Sequence, residues 1–133
     1  MKRVFLDANV LFTAAHNPRG KAALVFESSA ARRWLLLTSS YAIAEARHNL
    51  GLKFPETLNT LDALLRYVNI VNPIHGTACP IALAEKDQPI LLAAIAGKAT
   101  HLLPGDIKDF GRYMNQPAKT CGILVQTVAD FLE

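Results

Sequence analysis

The feature that most constrains the fold is an alternation. Short strand-like runs recur along the chain, and a stretch with helical patterning separates each from the next. Lys2 to Leu6, Trp34 to Thr38, Val68 to Val71 and Thr100 to Leu103 read as strands. Val4-Phe5-Leu6 and Trp34 to Leu37 are continuous apolar runs of the kind buried on both faces. Cys121 to Val125 reads as a fifth, edge strand. Between them, Ala8 to Ala15 suits a short helix, and His16 to Gly20 is a turn by its Asn, Pro and Gly content. Lys21 to Arg33 is a helix with Ala23, Leu24, Ala30 and Ala31 on its apolar side. Ser39 or Ser40 caps a helix that Gly51 is expected to stop. Pro55 to Tyr67 is a helix with Leu58, Leu61, Leu64 and Leu65 at helical spacing. Asp87 opens a further helix with Pro89 in its first turn and Gly97 at its end. Short helices are expected over Ile81 to Glu85 and Ile107 to Met114, and a last one over Thr127 to Glu133. Strands separated by helices mean an α/β fold, with a mostly parallel sheet of four to five strands covered on both faces. Ligands in such folds bind beyond the C-terminal ends of the strands.

Composition sets the remaining bounds. A chain of 133 residues fits one domain, residues 1–133, and buries about two-thirds of its unfolded surface without needing a disulfide or metal staple. Hydrophobic residues at 51% and charged residues at 19% exclude a disordered chain. The longest apolar runs, Trp34 to Leu37 and Ile90 to Ala96, are far shorter than the ~20 residues of a bilayer span. The N-terminal apolar stretch is too short for a signal-peptide core, so no membrane association and a cytoplasmic location are expected. Cys79 and Cys121 stand far apart with no CxxC spacing, and read as two buried thiols in a reducing compartment. A net charge of +3 and a pI near 9.0 suit a polyanionic partner without identifying one.

Four carboxylates fall where the fold places its ligand edge. Asp7 directly follows the first strand, and Asp106 lies three residues after the fourth. Glu45 is on the helix after the second strand and can reach the same edge. Asp87 stands at a helix N-terminus, where the dipole favours an anion. Each alone has a plainer reading: a cap for Asp87 and Asp106, a turn residue for Asp7, a solvated helix charge for Glu45. Together in one cleft they would repel one another unless a cation sat among them, and hard oxygen ligands select Mg²⁺ or Mn²⁺. One or two such ions would activate a water and stabilise the oxygens of a scissile phosphodiester.

The order of these acids carries a resemblance. Phe5-Leu6-Asp7-Ala8-Asn9-Val10-Leu11, Ala42-Ile43-Ala44-Glu45, Lys86-Asp87-Gln88-Pro89-Ile90-Leu91-Leu92-Ala93-Ala94 and Leu102-Leu103-Pro104-Gly105-Asp106-Ile107-Lys108-Asp109-Phe110 resemble the successive acidic motifs of PIN domains. The resemblance implies a three-layer α/β/α sandwich forming a single PIN-like nuclease domain over residues 1–133. It implies Mg²⁺- or Mn²⁺-dependent endoribonuclease activity, with Asp7, Glu45, Asp87 and Asp106 as catalytic and metal-holding residues. It also implies Asn9 as an accessory site residue and Asp109 as a variable fifth acid. Many such proteins are the toxins of toxin–antitoxin pairs of the VapC type, so an antitoxin partner and a homodimer are expected. Two positions depart from the pattern. Ala8 and Pro104 stand where the family often has Ser or Thr, and the hydroxyl that would hydrogen-bond a neighbouring acid is absent.

Basic residues suggest where RNA would lie. Arg19 and Lys21, with His16, sit in or beside the first turn, and Lys86, Lys108 and Arg112 flank the later acids. Exposed helix charges are the plainer reading of each. His48 is three residues after Glu45 and reads as a surface residue. Trp34 reads as core, and Tyr67, Tyr113 and Trp34 form no stacking platform. An aspartyl phosphatase would need an acid at Asn9, and a receiver domain would need a paired acid near Asp7 and an Asp where the third strand ends in Asn72. The remaining alternative is a PIN-like interaction module with weak or no catalysis.

Overall fold

The computed structural model describes every residue except Arg32 and Asp106, and of Ala30 only the backbone. The described residues form strands β1 (Lys2–Leu6), β2 (Trp34–Thr38), β3 (Val68–Ile70), β4 (His101–Leu103) and β5 (Leu124–Val125). All pair in parallel, in the order β3-β2-β1-β4-β5. Phe5 lies opposite Leu37 on one side and Leu102 on the other. Consecutive residues Val4, Phe5 and Leu6 are all buried, as are Leu36 with Leu37 and Leu102 with Leu103. A strand that buries both of its faces requires cover on both sides of the sheet, and helices supply it.

Those helices are α1 (Ala8–His16), α2 (Lys21–Ala30), α3 (Ser40–Lys53), α4 (Leu58–Leu65), α5 (Gln88–Ala96), α6 (Ile107–Phe110) and α7 (Val128–Phe131). Helix α1 packs on α2, α3 and α4, while α2 and α5 both reach β2. Trp34 ties two of these pieces together. Its indole N–H donates to the Val25 carbonyl at 2.9 Å, and its ring meets Phe131 edge-on at 4.6 Å. The result is the expected α/β sandwich, with the sheet parallel throughout.

Several boundaries differ from the sequence reading, each for a local reason. Helix α3 runs through Gly51, where an added Cβ would meet nothing within 4 Å, and ends at Phe54, whose N–H caps Leu50 O at 2.7 Å. The stop signal is Pro55, which disfavours helical backbone in the residue before it. Pro55–Thr57 is a 3₁₀ turn leading into α4. Residues 81–85 form no helix. Their carbonyls serve other donors instead: Ala84 O accepts from Asp87 and Gln88 N–H, Leu83 O from the Gln88 side chain, and Ala82 O from the Tyr113 hydroxyl. Strand β5 shrinks to two residues because Cys121 and Gly122 have φ of 55° and 82°, which no strand accommodates. Helix α6 passes into a 3₁₀ turn at Gly111–Tyr113. Both thiols are free, but Cys121 is exposed and Cys79 only half-buried, so the expected pair of buried cysteines is corrected.

The topology picks out one crevice. From β1 the chain proceeds outward to β2 and β3, then crosses back to β4 and on to β5. The winding direction reverses between β1 and β4. An open parallel sheet binds its ligand beyond the C-terminal ends of the two strands at such a reversal. The residues there are Asp7 and the Pro104-Gly105 turn.

Candidate functional site

Asp7 stitches this crevice together. It follows β1 without a spacer and caps α1, its Oδ1 accepting the Ala8 N–H at 2.6 Å. Its Oδ2 accepts the Gly105 N–H across the sheet at 3.1 Å, and its own N–H donates to Leu103 O at 3.2 Å. Only 7% of the residue is exposed. Burial pushes its carboxyl pKa up, and the N–H groups of Gly105 and Ala8, with the Lys86 ammonium, pull the other way. The turn opposite favours glycine: a Cβ at position 105 would lie 2.1 Å from the Asn9 Cβ, so the turn or α1 would have to shift. Asn9 thus sits directly against the turn that holds Asp7.

Glu45 approaches from α3, more exposed than Asp7. Partial burial raises its pKa, and the Asp7 charge raises it further. One helical turn earlier stands Tyr41, whose hydroxyl donates to the Lys86 carbonyl at 3.1 Å. Burial and the charges of Glu45, Asp87 and Asp7 raise the Tyr41 pKa, which puts its phenol beside the same acids.

Asp87 occupies the N-cap position of α5, yet its side chain makes no capping bond. It is 6% exposed, and its Oδ2 is buried with no hydrogen-bond partner among the described residues. A buried carboxyl with one oxygen unpartnered is costly to keep charged. Its pKa is accordingly pushed up to about 7, by burial first and then by a hydrogen bond and charge repulsion from Asp109. Asp109, on α6, moves the opposite way. Its Oδ2 lies 3.1 Å from Lys86 Nζ, and that ammonium holds its pKa below the ordinary carboxylate value.

Asp7 acts electrostatically on both Glu45 and Asp87, Asp87 and Asp109 act on each other, and the Lys86 ammonium acts on all four. Asp106 lies outside the described residues. Among the described residues no group of three or more His, Cys, Asp or Glu stands close enough to hold one ion. The acids gathered there would nonetheless suit a hard divalent cation: their donors are carboxylate oxygens, and one buried oxygen of Asp87 has no partner among the described residues.

The basic residues divide. Lys21, at the start of α2, lines a cavity of about 350 Å³ with Asn9, Gly105, Thr13 and Thr127, next to Asp7. Arg19 is exposed and outside that cavity. Lys108 and Arg112 line a second cavity of about 540 Å³ with Asp109. Arg112 also donates to the Tyr113 hydroxyl at 2.8 Å and stacks over its ring. His16 stacks on Phe54 with ring centres 3.8 Å apart. His48 is exposed. Sequence reasoning missed Tyr41 and the steric role of Gly105. The spacing of Tyr41 four residues before Glu45, on one helix face, was the available signal for the first.

A family model described as a PIN domain matches residues 3–108. The fold is similar to the crystal structure of VapBC2 from Rickettsia felis bound to a DNA fragment from their promoter, with a TM-score of 0.64 and 19% sequence identity, covering 94% of this chain and 98% of that one. It is also similar to the 2.2 Å structure of VapBC-1 from nontypeable Haemophilus influenzae, with a TM-score of 0.63 and 14% identity, covering 96% and 98%. No curated protein matches this chain by sequence.

Proposed function

The chain belongs to the PIN-domain family, and from that premise we propose that it is a Mg²⁺- or Mn²⁺-dependent endoribonuclease acting as one domain over residues 1–133. The observation that carries this reading is the buried Asp87 carboxyl. It keeps an oxygen unpartnered among the described residues and a pKa pushed up to about 7, near Asp109 and Asp7, at the strand ends where such a sheet takes its ligand. A fold retained only for docking gains nothing from holding repelling acids there.

When bound, the ion supplies charge to the scissile phosphate and lowers the pKa of a water. Asp7, Glu45, Asp87 and Asp106 are the residues proposed to hold it. Two backbone N–H groups fix Asp7 in place before ligand arrives, so its orientation costs nothing further on binding. Glu45, the most exposed of the described acids, is placed to accept a proton at the rim. Asn9 borders the turn, and Asp109 holds Lys86 at the edge of the acids. Lys21, Lys86, Lys108 and Arg112 are proposed phosphate contacts on the two sides of the crevice, with Arg19 further out.

Two chains of similar fold come from structures of VapBC2 and VapBC-1. We accordingly propose that this chain is the toxin of a toxin–antitoxin pair, covered by a small antitoxin, dimeric and cytoplasmic. No helix among the described residues is long and apolar enough to cross a membrane.

The test uses purified protein and a fluorescent single-stranded RNA. Cleavage is expected in millimolar Mg²⁺ or Mn²⁺, and EDTA should abolish it. Glu45→Gln, at an exposed position, should lose it without loss of fold, and Asp7→Asn should lose it as well. A folded protein that cuts no RNA with either metal is an interaction module, and the nuclease reading fails.

A further inference from the structure

Residues 71–87 form neither helix nor strand, yet Asp87 stands at their end. A segment without a ladder of its own takes its position from whatever pairs with its backbone and side chains. Adjacent residues of α3 hold both of its ends. Ser40, the first residue of α3, donates its N–H to Asn72 Oδ1 at 3.0 Å. Tyr41 donates its hydroxyl to the Lys86 carbonyl at 3.1 Å.

The second bond acts one peptide away from a proposed metal-holding residue. The Lys86 carbonyl and the Asp87 N–H belong to one planar unit, so holding one end orients the other. The N–H end donates to Ala84 O at 2.9 Å, a contact within the segment itself. The carbonyl end is referred to α3, and Glu45 stands on α3 one turn beyond Tyr41, on the same face. The Asp87 side chain makes no capping bond and keeps one buried oxygen unpartnered among the described residues, so its aim depends on how its backbone is set. A second tyrosine reaches the segment without touching this peptide: the Tyr113 hydroxyl donates to Ala82 O at 3.1 Å.

We propose that Tyr41 is a positioning residue whose hydroxyl, acting through the Lys86–Asp87 peptide, fixes the Asp87 carboxyl relative to Glu45 so that both can meet one ion. This rests on the metal-dependent reading above. Carboxylates from separate elements bind an ion more weakly when one of them must be brought into place on binding.

The experiment is calorimetric titration of Mn²⁺ into the full chain, with no RNA present, for wild type, Tyr41→Phe and Tyr113→Phe, with melting temperatures measured in EDTA. Each variant loses one hydroxyl and keeps its ring. Tyr41→Phe should bind Mn²⁺ about tenfold more weakly than wild type. Tyr113→Phe should keep the wild-type affinity, although its melting temperature should fall at least as far, since Tyr113 is buried and its hydroxyl also accepts from Arg112. A hydroxyl that merely stabilises the segment would lower the melting temperature in both variants without separating their affinities. Wild type that binds Mn²⁺, with Tyr41→Phe at wild-type affinity or both variants weakened alike, overturns this inference alone. Wild type that binds no Mn²⁺ at millimolar concentration overturns it together with the metal-dependent reading.

Discussion

Asp87 is the residue whose chemistry differs most from its type. Its pKa stands at about 7 against an ordinary 3.8, because it is buried and faces Asp109. Between those two values the native state of the metal-free protein holds a proton that the unfolded chain has released. Stability therefore falls as pH rises through that window. The raised pKa values of Asp7 and Glu45 act in the same direction. The depressed pKa of Asp109 works the other way, its share being lost as pH falls. The melting temperature of the protein in EDTA should thus decline from about pH 4 to about pH 7, and Asp87→Asn should flatten the decline. A melting temperature that climbs steadily over this range would show that Asp87 is ionised at low pH. Adding Mg²⁺ should offset the decline most at its upper end, since the ion replaces the proton.

At the scale of elements, the turn between β4 and α6 depends on one missing side chain. A Cβ on Gly105 would strike the Asn9 side chain at 2.1 to 2.7 Å. Gly105→Ala must push the turn or α1 aside, at about 1–3 kcal/mol, and it displaces the N–H that orients Asp7. Chemical denaturation should show that loss, and the paired change Gly105→Ala with Asn9→Gly should recover part of it. No loss at all would mean the turn and α1 are not packed this closely. The strands and most helices were legible because local pattern and tertiary role agree. Leu36 and Leu37 are apolar whichever face they meet, and Ser39 caps α3 through its Oγ on the Ala42 N–H at 3.1 Å. What escaped the sequence was decided by partners far along the chain. Residues 81–85 give their carbonyls to Gln88 and Tyr113 instead of to a helix. Gly51 continues a helix because Pro55, not Gly51, supplies the stop. Asp7, Glu45 and Asp87 were visible as acids after strand or helix signals. Lys86 was visible as a charge flanking the later acids, but the place of Tyr41 among them was not, since it follows from the approach of α3 to the segment before α5.

The whole molecule combines an acidic crevice with a net charge of +3. Lys86 sits among the acids, while Lys21, Lys108 and Arg112 border the adjoining cavities, where the proposed RNA backbone would run. If about four phosphates are neutralised, the affinity for single-stranded RNA in EDTA should fall with salt at a logarithmic slope of about −3, and Lys108→Ala should reduce that slope by about 0.7. A salt-independent affinity would remove the basic residues from the interface. The most direct measurement is of the ion itself. Crystals soaked in Mn²⁺ should show one anomalous peak beyond the C-terminal ends of β1 and β4, about 2 Å from carboxylate oxygens of Asp7 and Asp87. Manganese bound only elsewhere on the protein, or a crevice empty at saturating Mn²⁺, would contradict it.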